Sequence, residues 1–304
     1  MNYVYAVICH KITNPLIFTV HHLLKSNKSI VLLHIDKKTN QMEREKIYSN
    51  LGKHSNLYYI KEQESIDVQW GNFSQIEVML LLMNKALDFE FKYFSLISGD
   101  DIPILPNIKR EIYFENSYKK SIEFIGININ NDASDRLGIN YPNFFFKKDH
   151  SFFGKMKRKL FLFFAKKMKR KNLSHLPTLY KGSTWFTLTD KTIKYIFNYV
   201  NTNPNYLKSF KTSLCGDEVF FQTIVFNNPD LKTKIYGLDL NLPDCEMGGR
   251  YIDWITGPDF PKTLDESDFN RAYKSQLLFS RKFKENIPLS TLEENMKKYS
   301  INNY

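Results

Sequence analysis

An acidic pair in the second half of the chain has the position and chemistry of a catalytic carboxylate. Asp217 and Glu218 stand directly before the apolar residues 219–221. Acidic side chains at the start of a helix complement its positive N-terminus, so the pair has a purely structural interpretation. Alternatively, a carboxylate held on a rigid helix end accepts the proton of an attacking hydroxyl group. The sequence predicts a helix over residues 216–225 and leaves both interpretations open.

Basic residues near the C-terminus are suited to binding an anion. Arg281 and Lys282 follow the apolar residues 277–279, and Arg250 begins the run Arg-Tyr-Ile-Asp-Trp. A basic pair such as Arg281 and Lys282 commonly marks the point where a strand ends and the chain enters solvent. Fixed cations also stabilise a diphosphate leaving group, which a divalent metal does in other enzymes. We therefore take Arg281, Lys282 and Arg250 as candidate cations for a diphosphate.

Signals for a bound metal or a dinucleotide are weak. The chain contains no Asp-x-Asp, and the nearest patterns are Asp100-Asp101 and Asp244-Cys245-Glu246. Among 32 acidic residues such patterns arise by chance, and solvated loop carboxylates are the commoner outcome. No His/Cys cluster has zinc spacing, and there is no glycine-rich phosphate loop. The turn after the first predicted strand lacks glycine, which argues against a dinucleotide-binding dehydrogenase. We expect no metal.

The elements that must position these residues alternate along the first hundred residues. Hydrophobic periodicity predicts strands at 3–8, 29–34, 57–60 and 93–97, and helices at 15–24, 41–51 and 73–87. This alternation is typical of βαβ units and of a mainly parallel sheet with helices on both faces. Ligands bind at the C-terminal edge of such a sheet. Polar clusters follow three of the strands: Cys9-His10-Lys11, His34-Ile35-Asp36-Lys37-Lys38 and Ser98-Gly99-Asp100-Asp101.

The second half of the chain is less regular. It contains predicted strands at 183–188 and 277–283, a helix at 191–200, and the stretch 250–254, which a proline-containing loop follows. No internal repeat or low-complexity linker separates the two halves, so the sequence predicts a single domain over residues 1–304.

The net charge of +11 is concentrated in one segment. Residues 147–171 contain 11 Lys and Arg and one acidic residue, Asp149, so this segment carries +10. Apolar residues recur on roughly one helical face, with Phe161 and Leu162 outside it; the face consists of Phe153, Met156, Leu160, Phe163, Phe164 and Met168. A helix packed on the domain is one interpretation, and nucleic-acid binding is another, although no nucleic-acid-binding motif accompanies the charge. We favour a helix that lies in an anionic membrane surface, with these basic residues at the lipid headgroups: Lys155, Lys157, Arg158, Lys159, Lys166, Lys167, Lys169, Arg170 and Lys171.

The cysteines and the absence of long apolar runs indicate the cellular compartment in which the protein is found. Cys9, Cys215 and Cys245 are odd in number and far apart, which favours free thiols in a reducing compartment. No run approaches the ~20 apolar residues that cross a bilayer, and the N-terminus lacks the basic region of a signal peptide. We expect a cytoplasmic protein, peripheral on the inner face of the cytoplasmic membrane.

Short stretches in order along the chain resemble the core-2/I-branching β-1,6-N-acetylglucosaminyltransferase and peptide O-xylosyltransferase family, especially its bacterial members. Each stretch by itself is weak evidence for the family, but the order and spacing of all of them together are specific. They are Tyr5-Ala6-Val7-Ile8-Cys9-His10-Lys11, His34-Ile35-Asp36-Lys37, Trp70-Gly71, Phe94-Ser95-Leu96-Ile97-Ser98-Gly99-Asp100-Asp101-Ile102-Pro103-Ile104, Gly182-Ser183-Thr184-Trp185-Phe186, Asp217-Glu218-x-Phe220-Phe221-x-Thr223, Arg250-Tyr251-Ile252-Asp253-Trp254 and Leu278-Phe279-Ser280-Arg281-Lys282-Phe283.

The resemblance implies a GT-A-type α/β glycosyltransferase fold with a mainly parallel, Rossmann-like sheet flanked by helices. Residues 1–125 would form the nucleotide-binding half and residues 126–304 the acceptor and catalytic half. The implied reaction is inverting, metal-independent transfer from a UDP-sugar, with no cofactor. Carried onto matching positions, the resemblance makes Glu218 the general base and Arg281, Lys282 and Arg250 the diphosphate cations. It makes Asp36 the uracil-side contact and His10 part of the nucleotide-side loop. Asp101, Trp185 and Trp254 would line the sugar or acceptor side.

Departures from the family limit what can be carried over. Eukaryotic members have a membrane anchor, a stem and paired cysteines, and the mucin and proteoglycan acceptors of those members are not expected here. We expect transfer of GlcNAc, xylose or glucose to a hydroxyl of a bacterial surface glycan, such as a lipopolysaccharide, capsule or other lipid-linked glycan. The alternatives are a metal-dependent GT-A glycosyltransferase of another family and a non-catalytic glycan- or membrane-binding protein.

Overall fold

The computed structural model describes residues 1–130, 133–147, 151–165, 167 and 170–301. The strands in this part of the chain, β1 to β8 in order, are Asn2–Cys9, Ser29–Ile35, Leu57–Tyr59, Phe91–Ser98, Ile102–Pro103, Thr187–Thr189, Arg250–Ile252 and Phe279–Arg281. The α-helices, α1 to α14 in order, are Asn14–Leu24, Gln41–Leu51, Ser74–Ala86, Asn107–Lys119, Ser134–Leu137, Asn143–Phe146, Phe152–Ala165, Asp190–Thr202, Pro204–Phe210, Phe220–Phe226, Pro229–Lys232, Asp244–Met247, Phe269–Lys274 and Leu289–Ile301.

The central sheet has five strands in the order β3-β2-β1-β4-β6. The first four are parallel, and β6 pairs antiparallel with β4. The prediction of a mainly parallel sheet is confirmed. The register pairs Cys9 with Ile35 and Ile8 with Ser98, so β1, β2 and β4 end at one edge. The polar residues that follow these strands are therefore gathered at that edge.

Helices cover both faces of this sheet. Side chains alternate along β1, so that Val4 and Ala6 enter one core cluster and Tyr3, Tyr5 and Val7 enter another. The first cluster includes residues of α3, α8 and α10, and the second includes residues of α1, α2 and α4. A strand buried on both faces explains why β1 and β2 read as nearly continuous apolar runs.

A second, three-stranded sheet in the order β5-β8-β7 attaches the C-terminal region to the end of β4. In this sheet β8 pairs antiparallel with β5 and parallel with β7. Because β5 begins at Ile102, directly after Asp100 and Asp101, this pairing brings Arg281 next to the C-terminal edge of the central sheet. The strand predicted at 183–188 begins four residues later than predicted and spans Thr187–Thr189, and the strand predicted at 277–283 is shorter, spanning Phe279–Arg281.

Helix α7 is attached to the protein by few residues. Ala165 is the buried residue of the helix, and the Phe161 ring lies 5.7 Å from Tyr141 and 5.5 Å from Phe145, measured between ring centroids. Phe161, which the prediction places outside the apolar face, thus packs on the domain together with Ala165, and the described residues of the predicted face are exposed. The remaining large apolar side chains of the helix are exposed, namely Phe152, Phe153, Met156, Leu160, Leu162, Phe163 and Phe164.

The charged end of the same segment is only partly open to solvent. Arg170 forms an ion pair with Asp135 at 2.9 Å, and the Lys171 ammonium donates to Thr212 Oγ1 at 2.6 Å. Arg170 and Lys171 thus also have contacts within the protein, and their predicted membrane contact stays a prediction. Lys166 and Lys169 lie outside the described residues, as does Met168 of the predicted apolar face.

Candidate active site

Two adjoining cavities lie at the C-terminal edge of the central sheet. The first has a volume of about 520 Å³, and the second has a volume of about 570 Å³. Trp70, Gln75 and Trp185 line both, so the two form one continuous cleft. The predicted site residues on the first are Glu218, Arg281, Lys282, Trp185 and Trp254, and those on the second are His10, Asp36 and Trp185.

Glu218 lies in a tight turn that the sequence did not predict. A 3₁₀ helix spans Gly216–Glu218, and α10 begins only at Phe220. Cys215, directly before the turn, has a left-handed backbone with φ of 50°, and its N–H donates to the Gly71 carbonyl at 2.7 Å. The predicted helix over residues 216–225 is therefore wrong in its first turn, and Glu218 stands on the loop side of the helix end.

Two cations hold the Glu218 carboxylate at the cavity. Arg136 Nη2 lies 3.1 Å and Lys181 Nζ lies 3.4 Å from the same oxygen, Oε2. Oε1 has no protein partner in the described part of the chain. The carboxylate is thus fixed through one oxygen while the other remains open to a substrate hydroxyl. Sequence reasoning missed Arg136 and Lys181, which lie in irregular segments without a distinctive motif.

Arg281 is held by an ion pair and by an aromatic ring. Its Nε lies 3.1 Å from Asp101 Oδ1, and its guanidinium carbon lies 4.0 Å from the centroid of the Trp185 ring. A planar guanidinium fixed on two sides is preorganised to direct its remaining N–H groups at an anion. Arg281 lines the first cavity, in agreement with its predicted position.

Asp101 does not face the sugar or acceptor side, which corrects the sequence prediction. The residue is fully buried, and its carboxylate accepts from the Ser98 N–H at 3.0 Å and the Ser98 hydroxyl at 2.6 Å as well as from Arg281. All of these contacts are internal to the protein. Asp101 therefore positions Arg281 instead of contacting a ligand.

Lys282 completes the positive side of the first cavity. Its side chain is exposed, it lines the cavity with Arg281, and it forms no ion pair with any described residue. A compact ammonium group with unused donors is well suited to contact a phosphate. The prediction that Arg281 and Lys282 share a site with Glu218 agrees with this arrangement.

Arg250 is placed differently from its prediction. The residue is fully buried, and its guanidinium donates to the carbonyls of Gly248, Leu96 and Phe186 at 2.8 to 3.0 Å. Its guanidinium carbon also lies 4.8 Å from the Phe279 ring centroid. Burial lowers the pKa of Arg250 to about 9. Leu96 lies in β4, Phe186 directly precedes β6, and Phe279 lies in β8, so Arg250 joins the two sheets. Arg250 does not line either cavity.

Replacing Arg250 with Met is expected to destabilise the fold. The carbonyls of Gly248 and Leu96 lose the Arg250 donor, whereas the Phe186 carbonyl keeps the Leu96 N–H at 3.0 Å. Each unsatisfied buried group costs about 1–3 kcal/mol, so we expect a loss of about 2 kcal/mol or more in the free energy of unfolding. Urea unfolding followed by circular dichroism measures this loss. Lys282→Met is the matched control, with nearly unchanged stability. If Arg250→Met is as stable as the native chain and instead loses nucleotide affinity, the structural role is wrong.

The second cavity contains the residues predicted for the nucleotide side. Asp36 is nearly buried, and its carboxylate accepts from the Lys38 N–H at 3.0 Å and pairs with the Lys38 ammonium at 3.2 Å. His10 is exposed at the end of β1. Because β1 and β2 are parallel neighbours, the two residues meet at one mouth, as the strand pattern predicted.

The two acidic patterns considered for a metal, at Asp100-Asp101 and Asp244-Cys245-Glu246, have surroundings unlike those of a metal site. Asp101 is engaged by Arg281, and burial raises the pKa of the neighbouring Asp100, with the Asp101 charge as a further cause. Cys245, between Asp244 and Glu246, is buried. Within the described residues, no group of three or more His, Cys, Asp or Glu side chains is arranged to hold a metal ion.

A mainly parallel sheet whose strand ends meet a cleft with a carboxylate and two cations is typical of a ligand-binding site in an α/β enzyme. A family model described as Core-2/I-Branching enzyme matches residues 3–277, and the chain belongs to this family. It is therefore a glycosyltransferase with a GT-A-like fold, a nucleotide-sugar donor and a glycan acceptor. A search of curated proteins found no match to the chain.

Proposed function

We propose that this glycosyltransferase is inverting and metal-independent, and that it transfers GlcNAc, xylose or glucose from a UDP-sugar to a hydroxyl of a lipid-linked bacterial surface glycan. One domain would carry both substrates. The observation that supports this proposal most is the shared cavity of Glu218, Arg281 and Lys282. It unites a proton acceptor and two cations, which are the groups that a single displacement at an anomeric carbon requires.

In the proposed reaction, the acceptor oxygen attacks the anomeric carbon from the side opposite the leaving group. Its proton passes to Glu218 Oε1 as the new glycosidic bond forms. The bond between the anomeric carbon and the diphosphate oxygen breaks, and both electrons leave with UDP. Arg281 and Lys282 neutralise the charge that develops on the diphosphate. Attack from the opposite face inverts the anomeric configuration.

The cleft offers separate places for the parts of the donor. We assign the nucleoside to the second cavity, near His10 and Asp36, and the sugar to the first cavity beside Glu218. Both cavities have volumes in the range usual for small-molecule sites. Trp185, which lines both, would lie near the diphosphate through its contact with Arg281.

We expect sugar transfer to continue in excess EDTA at close to its normal rate. The reason is that two side-chain cations take the place of a Lewis acid at the leaving group. A UDP-release assay with and without EDTA, followed by addition of Mn²⁺, measures this directly. An absolute requirement for Mn²⁺ would favour a metal-dependent mechanism and redirect attention to Asp100.

The proposed acceptor class rests on α7. A helix with seven large exposed apolar side chains and several basic ones matches an anionic membrane surface in both polarity and charge. Residues 155, 157 and 159 carry exposed lysines on this helix. No helix in the described part of the chain has the length and apolar character needed to cross a bilayer. A peripheral enzyme on the cytoplasmic face of the inner membrane would meet an acceptor that is linked to lipid.

The double variant Lys155→Glu/Lys159→Glu is expected to bind anionic vesicles at least about tenfold more weakly, since each basic residue near such a surface contributes about 1 kcal/mol. Sedimentation with vesicles that contain phosphatidylglycerol measures the change, and vesicles of phosphatidylcholine alone show the charge-independent part. Lys119→Glu/Lys120→Glu, at the end of α4, is the control with the same change in net charge. Equal binding by both double variants would exclude α7 as the membrane contact.

A further inference from the structure

Asp217 is a buried carboxylate that the reaction described above does not use. The residue is 3% exposed, lies in the same 3₁₀ turn as Glu218, and forms part of the wall of the first cavity. Its Oδ2 accepts from the Thr184 hydroxyl at 2.7 Å and from the Gln75 amide at 3.3 Å. Its Oδ1 is buried without a hydrogen-bond partner among the described residues.

A carboxylate at this position is costly for the fold. Burial, together with the neighbouring Glu218 charge and against the lowering effect of the Thr184 hydrogen bond, raises the pKa of Asp217 to about 6. A neutral side chain would satisfy its surroundings at a smaller desolvation penalty. Groups that are destabilising in this way and lie on the wall of a cleft are commonly part of the site.

The ionised carboxylate fixes the orientation of the hydrogen-bonding groups of Thr184 and Gln75 at the cavity. Because a carboxylate only accepts, the hydrogen of the Thr184 hydroxyl must point to Asp217, and only its lone pairs remain for a ligand. Gln75 is fixed at the same time, since its Oε1 accepts from the Gly71 N–H while its Nε2 donates to Asp217. Thr184 and Gln75 both line the first cavity.

We propose that Thr184, oriented by Asp217, accepts a hydrogen bond from a hydroxyl of the sugar that is transferred, and that Asp217 is the positioning residue that fixes this direction. A lone-pair acceptor beside two carboxylates repels a phosphate and favours an uncharged hydroxyl. Trp185, the next residue, also lines this cavity and adds ring surface beside the hydroxyl, with Arg281 against one face of the ring. The ligand class is therefore a nucleotide-sugar with a free hydroxyl at this wall. This inference rests on the proposed use of UDP-sugars.

The test compares the affinity for a UDP-sugar with the affinity for UDP in the full chain. Calorimetry with UDP-GlcNAc, UDP-xylose and UDP-glucose first identifies the sugar nucleotide that the native chain binds most tightly. Thr184→Val is then expected to bind that sugar nucleotide about tenfold more weakly while its affinity for UDP stays unchanged. Thr184→Ser, which keeps the hydroxyl, is expected to restore the affinity.

The Asp217→Asn variant separates positioning from a merely structural role. In the native chain, the affinity for the UDP-sugar is expected to fall below about pH 6 as Asp217 is protonated and can donate to Thr184. The UDP-sugar is the ligand to follow, because its diphosphate lacks the terminal phosphate ionisation that UDP undergoes near pH 6. In Asp217→Asn this affinity is expected to be low and to change little over the same pH range. The charged or titratable groups around Asp217 are Glu218, Arg136 and the Cys215 thiol, whose pKa burial raises to about 12. Thermal unfolding of each variant checks that it is folded.

The outcomes distinguish this inference from the proposed function. If the native chain binds neither UDP nor any of the three sugar nucleotides, the proposed function fails. If it binds them but Thr184→Val weakens UDP and the UDP-sugar equally, or leaves both unchanged, the hydroxyl subsite is wrong while the function stands. A pH profile that Asp217→Asn shares with the native chain would overturn the positioning role and assign the titration to another group.

Discussion

Replacing Glu218 with Gln is expected to lower the rate of sugar transfer about 100-fold or more, since general-base catalysis typically contributes a factor of that size. Gln retains the shape of the side chain and its contact with Arg136, but it cannot take the proton from the acceptor. The affinity for UDP should change little, because the cations that bind the diphosphate are untouched. Steady-state rates of UDP release and calorimetry with UDP measure the two effects separately.

Glu246→Gln is the matched control for this prediction. Glu246 follows the buried Cys245 in α12 and does not line the first cavity. The control should transfer sugar at the native rate and bind UDP normally. Native turnover in Glu218→Gln would remove the general-base role from this residue and leave the acidic pair with its structural interpretation at the helix start.

Loss of either cation in the first cavity is expected to weaken binding of the donor and to slow the transfer of its sugar. For Lys282→Ala and Arg281→Ala we expect kcat/KM to fall about 100-fold, because charge-assisted hydrogen bonds to the leaving diphosphate are lost. The affinity for UDP should fall as well, in contrast to Glu218→Gln. Lys282→Ala is the simpler variant, because Lys282 has no ion pair within the described residues whose loss would disturb the fold.

Arg281 needs an additional comparison, because its removal leaves the buried Asp101 without a partner. Arg281→Lys keeps a charge beside Asp101 but loses the planar group that lies over Trp185. We expect this variant to remain folded and to lose about tenfold in kcat/KM, less than Arg281→Ala. Full activity in both Arg281→Lys and Lys282→Ala would show that the diphosphate is neutralised elsewhere.

The central sheet was predictable from sequence because its strands are buried on both faces. Such strands read as short apolar runs, and their alternation with helices fixes a parallel order. Because β1 and β2 are parallel neighbours, they end at the same edge of the sheet, and the sequence therefore predicts His10 and Asp36 at that edge. Glu218, Arg281 and Lys282 were also predicted in one site, although only the resemblance to the family connected residues so distant in the chain.

The errors concern charged side chains whose surroundings come from other segments. Arg250 and Arg281 both begin or end short strands of one sheet, and neither local sequence reveals which guanidinium is buried. Gly248 and Gly249 before Arg250 are the available sign, since the backbone of Trp185 approaches Gly248 closely and Gly249 has a positive φ of 74°. Asp101 was misplaced for the same reason, because its partner Arg281 lies 180 residues away.

The turn at Glu218 illustrates a second limit. Apolar residues after an acidic pair predict a helix, but the left-handed backbone of Cys215 and its bond to Gly71 impose a tighter turn first. That bond joins segments far apart in the chain. Arg136 and Lys181, which hold the Glu218 carboxylate, are likewise defined only by long-range packing.

A crystal structure of the protein grown with UDP tests the central claim most directly. It should show the diphosphate contacted by the Arg281 guanidinium and the Lys282 ammonium, with the uracil near Asp36 and the terminal phosphate facing Glu218. A diphosphate bound outside the first cavity, or one held by a metal ion with both cations turned to solvent, would contradict the account.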